Sequence, residues 1–165
     1  MSILKWLGLA DRTEQAADDT GAVRRIADAL DRIEPERARY IAAFAYLLGR
    51  VACADREVSN EEIRVMERIV RERGDLPEEQ AVLVVQIAKS QNLLFGGTED
   101  FLVAREFEKM ATQEQKLALL DCLFAVSAGD GSVSVPEDNE ISRIAQVLKL
   151  EHSDLVRARL AWKRR

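Results

Sequence analysis

The residues with the most chemistry in them fall in two short acidic turns. Asp55-Arg56-Glu57-Val58-Ser59-Asn60-Glu61-Glu62 and Asp130-Gly131-Ser132-Val133-Ser134-Val135-Pro136-Glu137 share the form D-x-x-V-S-x-x-E. In each, the Ser oxygen can accept from free backbone N–H groups at a helix start. The Glu three residues later reaches back to the Ser N–H, and the Val before the Ser staples the turn to the helix. None of these roles needs a ligand. The Asp is different, because it follows a helix C-terminus whose carbonyls already concentrate negative charge. Turn N–H groups are one offset. A cation shared among Asp, Glu and loop carbonyls is the other, and a hard cation such as calcium takes such an all-oxygen set. Asp55, Glu62, Asp130 and Glu137 are therefore the candidate metal-ligating residues, and the sequence leaves both readings standing. An EF-hand is excluded: counted from Asp130, position six is Val135 instead of Gly and position twelve is Ile141 instead of Glu. Counted from Asp55, the same places hold Asn60 and Met66.

Other reactive side chains are sparse. His152 is the single histidine and lies before a helix start beside Glu151 and Asp154, where it reads as an ordinary surface residue. The two cysteines, Cys53 and Cys122, sit in apolar helical runs, and so few of them suit a reducing compartment; Cys122, beside Asp121, reads as a buried thiol, since low-pKa cysteines need cationic neighbours. No nucleophile–base pair is visible, and no catalytic residue is assigned. A hydrolase built on paired carboxylates would need Asp130 and Glu137 in a concave pocket. Arg157, Arg159, Lys163, Arg164 and Arg165 form a basic end that complements a helix dipole.

The 165 residues carry 24 Lys+Arg against 29 Asp+Glu, a net charge of −5, which disfavours nucleic acid as a partner. Aromatics at 5% and few Gly and Pro suit packed helices. Nearly every segment from Ala22 onward has helical period. Val23, Ile26, Leu30 and Ile33 form one stripe. Pro35 opens a helix to about Ala54 that is apolar around most of its girth and is expected to be central. Ser59 opens a helix that Gly74 ends as a C′ residue, and Pro77-Glu78 starts the next. Thr98 caps a helix through Met110, and Thr112–Gln115 is a capping box for a long helix to about Ala128. Further helices start at Ser134 and, capped by Ser153, near the end. A shift of 75 residues superposes two stretches without a gap. Ala43, Leu48, Val51, Asp55, Val58, Ser59, Glu62, Arg68 and Ile69 fall on Ala118, Leu123, Val126, Asp130, Val133, Ser134, Glu137, Arg143 and Ile144. The expected architecture is all-α, a compact bundle of about seven to eight helices built around two duplicated helical hairpins. Residues 22–165 form the domain. Residues 1–21 form an apolar segment (Ile3, Leu4, Trp6, Leu7, Leu9) and a polar, flexible linker. The apolar segment, too short to span a bilayer, docks on the body or makes a peripheral membrane contact through residues 1–9.

These residues resemble the TerB-like family, bacterial helical proteins named for tellurite resistance, to which the amino-terminal domain of the membrane co-chaperone DjlA is related. The family's box is an alanine-rich helix, then A-D-G-x-[VI]-x-x-x-E, present twice. Ala54-Asp55-Arg56-Glu57-Val58 with Glu62 matches one box, and Gly129-Asp130-Gly131-Ser132-Val133 with Glu137 the other. Leu150–Arg159 resembles the family's closing helix, and Leu4–Leu9 its opening. The resemblance implies a non-enzymatic interaction module in a cytoplasmic or membrane-peripheral stress-response setting. It also implies calcium associated with Asp55, Glu62, Asp130 and Glu137, Glu57 contributing less, and a protein partner. A metal-free, co-chaperone-type or membrane-peripheral scaffold is the alternative. Arg56 departs from the family's Gly and could neutralise Asp55 in place of a metal, which favours the second box. Tellurite is an anion that an acidic cluster repels.

Overall fold

The computed structural model of the chain describes residues 20–52, 60–74, 76–89, 100–128 and 135–163. These form eight helices: α1 (Thr20–Asp31), α2 (Pro35–Ala52), α3 (Asn60–Arg73), α4 (Glu78–Lys89), α5 (Asp100–Met110), α6 (Gln113–Ser127), α7 (Val135–Val147) and α8 (His152–Lys163). There is no strand among the described residues, so the all-α class holds. Thr20 and Gly21, expected in the linker, already belong to α1. The rest of residues 1–21 lies outside the described residues.

Burial explains why α2 is central. Each residue from Tyr40 to Leu48 is 5% exposed or less. Nine consecutive buried residues cover every face of a helix with 3.6 residues per turn. Five helices supply the cover, since α2 packs on α1, α4, α5, α6 and α7. The second long helix, α6, packs on α2, α3, α7 and α8. Between α2 and α5, Phe107 stacks on Tyr40 with centroids 5.4 Å apart and meets Phe44 edge-on at 6.3 Å. Such pairs add about 0.5–1.5 kcal/mol each beyond their area burial.

Ion pairs and a hydrogen bond from an arginine tie the helices together. Arg73 Nη1 lies 3.0 Å from Asp121 Oδ2, joining the end of α3 to α6. Arg159 lies 3.0 Å from Asp138 Oδ1 and also donates to Ser142 Oγ at 3.3 Å, joining α8 to α7. Arg37 Nε donates to Gln80 Oε1 at 2.9 Å, joining α2 to α4.

Local signals set the helix ends, with three differences from expectation. Pro35 occupies the first turn of α2, and the Glu34 carbonyl accepts from the Ala38 N–H at 2.8 Å. Thr112 forms the expected capping box: its Oγ1 accepts from the Gln115 N–H at 3.2 Å and its N–H donates to Gln115 Oε1 at 2.8 Å. Ser153, however, does not cap α8. The Glu151 carbonyl accepts from the Asp154 N–H at 3.0 Å, and the Glu151 N–H donates to Asp154 Oδ2 at 3.2 Å. The charged reciprocal acceptor is the carboxylate three residues on, which leaves Ser153 inside the first turn. Gly74 follows α3 as expected but not in the left-handed conformation. Its lack of a side chain matters because a Cβ there would stand 2.5 Å from the Val70 carbonyl oxygen. The left-handed cap is instead Lys149, with φ of 61°, after α7. There the Lys149 N–H donates to Gln146 O and the Leu150 N–H to Ala145 O, both at 3.1 Å, the Schellman pattern.

Candidate functional site

The acidic turns connect α2 to α3 and α6 to α7. Asp55, Glu57 and Asp130 lie outside the described residues, as does the side chain of Glu62. Glu137 is described. It sits half-buried in the first turn of α7, beside Asp138, where the helix dipole favours carboxylates. Among the described residues, no three His, Cys, Asp or Glu side chains gather into a metal-binding group.

What the structure does place is the frame around the turns. Arg50 lies in the last turn of α2, which leads into residues 53–59. Its Nη2 is 3.7 Å from Glu140 Oε1 in the second turn of α7, the helix that leads out of residues 129–134. The helix entering one acidic turn is therefore held by charge against the helix leaving the other. Arg143, one turn further along α7, stands 3.6 Å from Glu140 Oε2. Both separations exceed hydrogen-bonding distance, so Glu140 sits between two guanidinium groups as a loose ion triad.

A small cleft adjoins this triad. It is lined by Leu47 and Arg50 from α2, Ala104 from α5, and Glu140, Arg143, Ile144 and Val147 from α7, and holds about 60 Å³. Leu47, Ala104 and Ile144 are buried and form an apolar floor. Arg143, with 77% of its side chain exposed, stands at the solvent edge. A larger, shallower depression of about 560 Å³ lies at the start of α2, lined by Glu34, Glu36, Arg37, Arg39, Tyr40, Lys109, Met110 and Gln115. Its charges of both signs are interspersed.

A family model for the tellurite resistance protein TerB matches residues 40–160, from within α2 to within α8. The chain belongs to the TerB family. No curated protein and no solved structure matches it. The match takes in both acidic turns of this TerB-family chain and the whole ion triad, and leaves out α1.

Two features near the turns carried no signal in the sequence. Ser127, the last residue of α6, is 2% exposed, and its Oγ makes no hydrogen bond among the described residues. A buried hydroxyl without a partner costs about 1–3 kcal/mol. The Arg50–Glu140–Arg143 triad spans 93 positions in sequence and two packed helices, and neither periodicity nor spacing couples such residues. Cys122 is buried, as expected. Burial, then the adjacent Asp121 carboxylate, pushes its thiol up to about 12, with the Arg73 guanidinium opposing in part. It is held as an unreactive neutral thiol. No helix among the described residues is long and apolar enough to cross a membrane.

Proposed function

We propose that this TerB-family chain is a non-enzymatic interaction module whose two acidic turns share a divalent cation, with Asp55, Glu62, Asp130 and Glu137 as its carboxylate ligands. The Arg50–Glu140 tie carries the reading, because it joins the flank of one turn to the flank of the other. Further support comes from the helix bounds. A shift of 75 residues puts Ala52, the end of α2, on Ser127, the end of α6, and Asn60, the start of α3, on Val135, the start of α7. The packing has the same form, since α2 lies on α7 as α6 lies on α3. Both features agree with an internal duplication whose copies interlock.

The donor chemistry suits calcium. Hard cations take carboxylate, carbonyl and hydroxyl oxygens, with no soft ligand required. Glu137 and the unpartnered Ser127 hydroxyl, on either side of residues 129–134, supply oxygens of that type. Ion binding would then order the turns and present the module to a protein partner in a stress response of the kind the family's name denotes. The tellurite oxyanion itself is not the ligand of an acidic cluster.

Calorimetric titration of the full chain with calcium tests this. The expected result is saturable heat with a Kd of about 10⁻⁴–10⁻³ M, in the range of weak extracellular-type modules. Asp130→Asn and Glu137→Gln should each abolish it. A flat titration, or heat unchanged in both variants, would overturn the cation reading and leave a metal-free, co-chaperone-type scaffold.

A further inference from the structure

We draw no further inference here: the strongest candidate, the outer face of α8 with the exposed Arg157 and the 44% exposed Leu160, carries nothing, because nothing among the described residues shows what covers it.

Discussion

Replacing Gly74 by alanine tests how closely the α3–α4 junction is packed on the core. At an unstrained position this exchange stabilises a protein by about 0.4–1 kcal/mol, because alanine restricts the unfolded chain. Here the sign should reverse. The new Cβ would stand 2.5 Å from the Val70 carbonyl oxygen, while Phe44 Cζ lies 3.4 Å away, already at contact. Moving the methyl off the oxygen by nearly an ångström drives it towards a ring that is fully buried and cannot retreat. The last turn of α3 must open instead, which weakens the 2.8 Å bond from the Gly74 N–H to Val70 O. Overpacking costs about 1–3 kcal/mol and the weakened bond about 0.5–1.5 kcal/mol. After the unfolded-state gain, a loss of about 1–4 kcal/mol remains. For a chain of this length that is a fall of roughly 2–16 °C in thermal midpoint, readable by calorimetry or circular dichroism. An unchanged or raised midpoint would refute the reasoning. A sharper check repeats the exchange on Phe44→Leu, which removes Cζ. The alanine penalty should shrink there by about 1 kcal/mol, and an undiminished penalty would show that Phe44 does not close the space.

Two further outcomes follow from the structure. Lys149→Gly should raise stability by about 0.5–1 kcal/mol, since an L side chain at φ of 61° costs about 1–2 kcal/mol and glycine's larger unfolded-state entropy returns part of that; a urea midpoint below that of the parent would contradict it. Cys122 should make the protein less stable in alkali, because its thiol ionises near 9.0 when unfolded and near about 12 when folded. With the folded value raised, its contribution is constant below pH 9 and falls as pH rises from 9 towards 12, by about 1 kcal/mol between pH 8 and 10. Comparing urea midpoints with Cys122→Val isolates this slope, and parallel pH curves would count against it.

Signals that act within one helix were legible in the sequence. Thr112 and Gln115 announce a capping box because both partners lie three residues apart, and Pro35 announces a first turn because its ring forbids the interior. The unbroken apolar run of α2 foretold its central place, since no face is left for solvent. Signals that compete, or that need a distant partner, were not legible. Ser153 lost the cap of α8 because Asp154 gives a charged reciprocal acceptor, and both patterns look sound on paper. Gly74 reads as a left-handed cap, but its reason is the approach of Val70. The left-handed position fell to Lys149, where Leu150 must turn back onto the core and the tertiary demand overrides residue preference.

The acidic turns and the cleft divide on the same line. The carboxylates of the turns were legible because a repeat displays them twice at one spacing, whereas Arg50 and Glu140 were not, because the repeat carries neither of them twice. An apolar pair in one half, Ala125 and Val65, stands where the other half has opposite charges. A Glu140 that lost both guanidinium neighbours, partly covered at the helix junction, would be costly, because a desolvated charge without a partner is the expensive state. The Arg50–Glu140 contact helps to set which ends of α2 and α7 meet. Removing the charge at Glu140 should then loosen the junction of α2 and α7 before it disturbs the buried core, whereas Arg143, with 77% of its side chain exposed, can be altered at little cost.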